Sequence, residues 1–281
     1  AVMTQFDQND DSVVVVIGSG AGGATVAHEL CEKGIKVVVL EAGPRFTIDD
    51  FHNNELAAYQ QLTWADKRYA TGDWPAATLA PEGPNWIVKA VGGSTLHWNG
   101  LSFRAQPHEF KARTTYGEVE GASLADWPVT YDELDPYYSR AEDKMGVTGT
   151  HGIKRHPANN NYKVLYNGAQ RIGYTQISNA RQAINSEFRD GRGACIQLGF
   201  CNQGCKMGAK WSTLYSEIPK AEETGNLELR SGCMVLRIEH DKAGNANGVI
   251  YVDGDGVEQR QSARVVCVAG NAIETPRLLL N

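Results

Sequence analysis

Residues 13–41 read VVVVIGSGAGGATVAHELCEKGIKVVVLE, and the fold is decided inside them. Val13 to Ile17 is an unbroken apolar run of branched side chains. That is the pattern of a strand buried on both faces of a parallel sheet, where no polar face is needed. Gly18 to Gly23 is a glycine-rich turn, Ala24 to Lys33 carries helical spacing, and Gly34 ends that helix. Lys36 to Leu40 is a second buried strand with Glu41 at its end. Gly18, Gly20 and Gly23 form G-x-G-x-x-G between strand and helix, the context in which the pattern binds dinucleotides. Gly18 permits the tight turn, Gly20 lets a pyrophosphate approach the backbone, and Gly23 lets helix pack on strand. The unpaired N–H groups and positive end of the helix would hold the phosphate charge. Glu41 stands where it can accept hydrogen bonds from ribose hydroxyls.

Working outward, the 281 residues are 42% apolar and 21% charged, with a net charge of −6. This is an ordinary globular balance, long enough to bury a substantial core. No basic block points to nucleic acid or an anionic membrane surface. No apolar run approaches the roughly 20 residues that span a bilayer. The opening AVMTQFDQNDDS lacks the plan of a secretory signal.

The remaining chain reads as long excursions from one sheet. Phe46 to Pro84 has no strong period, with short helices expected around Asn54 to Thr63. Trp86 to Val91 is predicted as a strand entering a second glycine-rich segment, Gly92 to Gly100. Tyr131 to Met145 is a predicted helix, opened by Thr130, Asp132 and Glu133 and followed by Gly146. His151 to Asn161 is read as loop and Trp211 to Thr224 as helix. Leu227 to Arg230, Val235 to His240, Gly248 to Asp253, Val257 to Gln261 and Arg264 to Ala269 are read as strands, the middle three as a meander. Ile273 to Leu280 begins a helix. No internal repeat is present.

Three further segments decide between dinucleotides: Glu41-Ala42-Gly43-Pro44, Ala90-Val91-Gly92-Gly93-Ser94-Thr95-Leu96-His97-Trp98-Asn99-Gly100, and Ala269-Gly270-Asn271-Ala272-Ile273-Glu274-Thr275-Pro276-Arg277-Leu278-Leu279-Leu280. In this order they resemble the glucose–methanol–choline (GMC) oxidoreductases, as does Asp126-Trp127-Pro128-Val129-Thr130-Tyr131-Asp132-Glu133-Leu134. The resemblance runs from about Ser12 to the last residue. It implies an α/β, FAD-binding Rossmann-like fold of the glutathione-reductase type, with inserted segments and a C-terminal half not contained here. The FAD-binding domain would be residues 1–110 with 186–281, and 111–185 an insert contributing to a substrate domain. Phe51 to Trp86 and Lys111 to Asn185 would shape the substrate cavity.

The cofactor-contacting set implied is Gly18, Ser19, Gly20, Ala21, Gly23, Glu41, Ala42, Val91, Gly92, Gly93, Ser94, His97, Trp98, Asn99, Gly100, Val235, Ala269 and Gly270. Val235 would meet adenine through its backbone. His97 occupies the position where some members tether flavin covalently, the plainer alternative being a packing histidine. The family's catalytic His, with a second His or Asn, would lie beyond Asn281. The chain stops inside the Thr275-Pro276 signature and is expected to be part of a longer one, so no residue is named as general base.

Cys31, Cys233 and Cys267 are single and read as core residues. Cys195, Cys201 and Cys205 are spaced C-x5-C-x3-C among glycines, so a loop could wrap an inorganic core. Zinc at a structural site normally takes four protein ligands, and no histidine lies between His156 and His240. The segment resembles that of GMC dehydrogenase catalytic subunits carrying a [3Fe–4S] cluster. Those relatives pass electrons to a cytochrome c subunit and are exported with a small chaperone-like subunit. This implies a periplasmic dehydrogenase oxidising a C–OH group of a sugar, polyol or other alcohol by hydride transfer to flavin N5. Buried structural cysteines are the alternative for the thiols, and a cytoplasmic enzyme the alternative for location. The competing functions are a GMC oxidase or dye-linked dehydrogenase without a cluster, and a stand-alone dinucleotide-binding module.

Overall fold

The computed structural model describes residues 5–57 and 88–280. They divide into two compact units, residues 1–98 with 197–281 and residues 99–196.

The first unit is a Rossmann-like α/β fold. It opens with β1 (Val14–Ile17), α1 (Ala21–Cys31) and β2 (Val37–Glu41), so the β-α-β reading of residues 13–41 holds within a residue or two, except that α1 begins at Ala21. Helix α1 terminates at Glu32, and Gly34 makes the turn beyond it at φ +76°. A short 3-10 turn, Gly93–Leu96, follows in the second glycine segment.

Residues 99–196 carry α2 (Ala112–Tyr116), α3 (Tyr131–Met145) and α4 (Asn160–Arg171). Helix α3 has the predicted bounds. Its Thr130 cap accepts from the Glu133 N–H, while Glu133 reaches back to the Thr130 N–H at 2.8 Å. Helix α4 was not anticipated: 151–159 is loop as expected, but the Asn159 side chain caps a helix from Asn160. At the centre of this unit Glu142, 4% exposed, accepts from Arg104 Nη2 at 2.7 Å and Arg181 Nη1 at 3.5 Å.

The chain then completes the first unit with α5 (Glu217–Glu223), β3 (Leu227–Ser231), β4 (Met234–His240), β5 (Ala246–Val252), β6 (Glu258–Ser262), β7 (Val265–Val268) and α6 (Asn271–Leu280). Strands β3-β2-β1-β7 form a parallel sheet in that order, with Val14 opposite Val37 on one side and Val265 on the other. Strands β4-β5-β6 form the expected antiparallel meander. Alternate residues of the central strands enter different cores. Val14, Val16, Val37 and Val39 pack with Ala24, Ala27 and Ile218, whereas Val13, Val15, Ile17 and Leu40 pack with Val235, Val249 and Tyr251. The sheet is therefore covered by α1 and α5 on one face and by the meander on the other, which is why its central strands read as continuous apolar runs.

Two expectations fail. Residues 88–90 are irregular and lead into a turn at Val91 rather than forming a strand, with the Val91 N–H donating to Pro44 O at 2.9 Å; Trp86 and Ile87 lie outside the described residues. The helix expected from Trp211 starts only at Glu217. Ser212 and Ser216 bond locally instead, Ser212 Oγ receiving the Leu214 N–H and Ser216 Oγ donating to Ser212 O, and hydroxyls used this way compete with helix formation. Of the helices expected near Asn54 to Thr63, residues 55–57 are helical and 58–63 lie outside the described residues. Among the described residues no helix is long and apolar enough to cross a membrane.

Candidate cofactor site

A cleft of about 310 Å³ opens in the first unit, at the end of β1 and β2. Its size lies at the lower end of the range for small-molecule sites, roughly 300–1,000 Å³. Helix α1 points its N-terminus into it. Gly20 caps that helix with no side-chain hydrogen bond, and the first turn carries no acidic residue. The first N–H groups of α1 are therefore left for an acceptor from outside the helix, and the dipole favours an anion there.

The glycines are where bulk is forbidden. A Cβ on Gly23 would stand 2.0 Å from Gly18 O, so Gly23 allows α1 to lie against the strand. Gly18, at φ +95°, would put a Cβ 2.7 Å from Ala269 O. Gly93, at φ +53°, would put one 2.9 Å from the Gly20 Cα. The two glycine-rich loops thus touch through bare backbone at Gly20 and Gly93, forming a cradle that side chains would fill. These residues fit the pyrophosphate of a dinucleotide.

The second loop is held from behind. Gly92 N–H donates to Ser19 Oγ at 3.1 Å, and Thr95 Oγ1 donates to Gly92 O at 2.5 Å. Thr95 Oγ1 lies 3.0 Å from Ser212 Oγ and receives the Thr213 N–H, while Thr213 Oγ1 donates to Ser19 O at 2.9 Å. Trp98 Nε1 donates to Trp211 O at 3.0 Å, and the two indoles meet edge-on. His97 is 3% exposed, with Nδ1 2.7 Å from Asn202 O. A carbonyl only accepts, so Nδ1 carries the proton. Burial pulls the imidazole pKa down to about 4, leaving the ring neutral near pH 7.

Glu41 is buried at the floor of the cleft. One carboxylate oxygen accepts from Ser19 N–H at 3.0 Å and Ser19 Oγ at 2.6 Å, and the other from Gly43 N–H at 3.0 Å. Burial pushes its pKa up, and these donors oppose the shift. The Ala42 N–H also faces this carboxylate, so a ribose hydroxyl would share its acceptor positions with these backbone donors.

Of the sequence-derived set, Gly18, Ser19, Gly20, Ala21, Glu41, Ala42, Gly93, Ser94, Val235, Ala269 and Gly270 line this cleft. Val91, Gly92, His97 and Trp98 stand in the loop behind its wall, and Gly23 serves helix packing. Asn99 and Gly100 fall in the other unit, where Gly100 O accepts from Ala183 N–H at 2.7 Å. Val235 O already receives Arg277 Nη2 at 3.4 Å. Cys201 and Cys205 belong to the first unit and Cys195 to the second, where its N–H donates to Asn185 O. All three are of intermediate exposure, and among the described residues no group of three or more His, Cys, Asp or Glu side chains stands ready to hold a metal ion.

Sequence reasoning missed Lys89, Thr95, Met234, Asn271, Glu274 and Arg277 in the cleft lining, and Lys210, Ser212 and Thr213 behind it. Thr95, Asn271, Glu274 and Arg277 carried a signal, since each lies inside a segment that resembles the family.

A family model described as GMC oxidoreductase matches residues 12–281. The chain is 32% identical over 300 residues to the fructose dehydrogenase large subunit of Gluconobacter japonicus, covering 95% of this chain and 53% of that protein. It is 33% identical over 294 residues to 2-methyl-1,2-propanediol dehydrogenase of Mycolicibacterium austroafricanum, covering 99% and 51%. Among solved structures, pyridoxine 4-oxidase from Mesorbium loti superimposes with a TM-score of 0.63 at 18% identity, covering 96% of this chain and 51% of that one, a likeness of fold. The chain spans about half the length of these relatives.

Proposed function

The chain belongs to the GMC oxidoreductase family, and from that premise we propose that it forms the FAD-binding part of an enzyme oxidising a C–OH group of a sugar, polyol or other alcohol. The observation that carries this is the bare-backbone contact of Gly20 and Gly93 beside the uncapped start of α1. Gly18 to Ala21 would hold the pyrophosphate and Glu41 a ribose hydroxyl, with Val235 near the adenine and Gly92 to Trp98 beside the flavin. FAD, when bound, supplies the hydride acceptor. The protein's own part is to orient and to exclude water, because a fixed reacting geometry removes much of the entropic barrier. His97 stays neutral and holds one tautomer. The general base is assigned to no residue of this chain. Residues 111–185 are proposed to serve the substrate side.

A finer reading sends electrons through a [3Fe–4S] cluster on Cys195, Cys201 and Cys205 to a cytochrome. The C-x5-C-x3-C spacing of the thiols supports it. An assembly with further subunits finds support in the words "large subunit" in the name of the Gluconobacter relative. Export with such a partner rests on the family resemblance.

The test is purification of the full-length protein followed by release of its chromophore. Bound FAD that bleaches anaerobically with a sugar or polyol is the expected result. A protein without flavin, which takes up none on reconstitution, overturns the proposal. Iron analysis of anaerobically prepared protein, with Cys201→Ser as control, decides the cluster.

A further inference from the structure

Among the described residues Lys210 is the largest side chain with less than 2% of its surface exposed, at 1%. A buried ammonium is tolerated only when its donors are met. Lys210 Nζ lies 2.8 Å from Leu96 O, 2.7 Å from Trp98 O and 2.5 Å from Cys201 O. Three carbonyl acceptors require three N–H donors. A neutral amine has two, and its lone pair would oppose the third oxygen. The geometry is therefore that of the cation, although burial draws its pKa down to about 8.

The placement of these acceptors gives the lysine a role. Leu96 and Trp98 are the neighbours of His97 in the chain, so one ammonium grips the peptide groups on both sides of it. The third acceptor, Cys201 O, belongs to the residue before Asn202, whose carbonyl receives the His97 ring. The next residue, Trp211, receives Trp98, and Ser212 and Thr213 meet Thr95. Lys210 thus stands where the backbone of the second glycine loop, the imidazole and the 201–205 loop are joined.

We propose that Lys210 is a positioning residue for the cofactor wall: its ammonium fixes the peptide groups flanking His97 and, through the 201–202 backbone, holds that imidazole in its Nδ1–H tautomer. This rests on the reading of the cleft as a flavin site. The Ser212 hydroxyl and the Thr213 N–H hold Thr95, on the N-terminal side, and Lys210 holds the C-terminal side. Glycines at 92 and 93 make the loop permissive, and the lysine removes that freedom where a cofactor needs a rigid surface.

The test uses full-length protein labelled with 15N-histidine, with the His97 signal assigned by its loss in His97→Gln. Wild type should show one tautomer, protonated at Nδ1. A ring protonated at Nε2, or averaging between tautomers, overturns the proposal without any variant at Lys210. Lys210→Met keeps the aliphatic stem and removes the donors. It should blur the His97 signal and weaken FAD about tenfold or more, the scale on which residues supporting a ligand-contacting group act. Lys210→Arg, which restores the cation and its donors, should recover part of both. If Lys210→Met is too unstable to study, Lys210→Gln, with two donors and no charge, is expected to lie between wild type and complete loss. Unchanged tautomer and unchanged FAD affinity in the folded Met or Gln variant overturn the assignment. Wild type that binds no FAD but shows the single tautomer would refute the flavin reading and leave the clamp standing.

Discussion

Replacing Gly20 with alanine separates the cost of folding from the cost of binding at one position. Gly20 sits at φ −66° and ψ −167°, a conformation open to any residue, and an added Cβ would meet only the Gly93 Cα at 4.0 Å. The helix cap loses about 0.5–1 kcal/mol, since alanine caps less well than glycine, and the less flexible unfolded chain returns about 0.4–1 kcal/mol. Apoprotein stability should therefore stay within about 0.5 kcal/mol of wild type. The new methyl, however, occupies the seat between the two glycine loops. A pyrophosphate pushed back from the start of α1 loses one or two charge-assisted hydrogen bonds worth roughly 1.5–3 kcal/mol each. A net loss of about 3 kcal/mol weakens FAD about 100-fold, at 1.4 kcal/mol per tenfold. Gly23→Ala is the contrast: its Cβ would stand 2.0 Å from a backbone oxygen that cannot move aside, so folding itself should suffer by about 1–3 kcal/mol or more. Urea unfolding of the apoproteins and titration with FAD measure both quantities in the full-length enzyme. A Gly20→Ala protein that is stable and binds FAD normally would refute the cradle. A Gly20→Ala protein that is badly destabilised would refute the geometry behind it.

Two further outcomes follow from the same site. Glu41→Gln turns one acceptor oxygen into a donor amide facing Ser19 or Gly43, leaving a buried N–H unpaired; about 1–3 kcal/mol of stability should be lost, and an unfolding midpoint equal to wild type would contradict the network. For His97, the folded pKa of about 4 lies below the ordinary 6.5, so as pH falls the unfolded chain takes up its proton first. The neutral ring costs nothing above about pH 6.5, and stability drains away between 6.5 and 4 by up to about 3 kcal/mol, at 1.36 kcal/mol per unit. Unfolding curves of wild type and His97→Gln should converge or cross over that window, and parallel curves would show that the histidine is not buried neutral.

The β-α-β opening, the meander and the bounds of α3 were legible because their causes are local. Runs such as Val13 to Ile17 declare a strand covered on both faces, and Thr130 with Glu133 declares a helix start through side chains three residues apart. The glycine pattern likewise located the cleft, since each glycine answers to a backbone constraint in its own turn. Trp211 to Ser216 misled for a physical reason: helical spacing was present, but Ser212, Thr213 and Ser216 bind carbonyls and hydroxyls that the spacing does not reveal. Trp86 to Val91 looked like a strand because all but Lys89 are apolar, whereas Val88 and Val91 bury their side chains from an irregular segment and the turn that follows it.

What the amino-acid order determined by itself was therefore the dinucleotide unit, its sheet and the family. What only tertiary structure decided was how the second loop is held, with Lys210 gripping carbonyls 112 and 114 residues away and Thr213 reaching Ser19 across 194. Partners so remote leave no period in the chain. A lysine that ends as a buried clamp has the same local neighbours as one in solvent, and only the fold that closes around it supplies the acceptors that tell them apart.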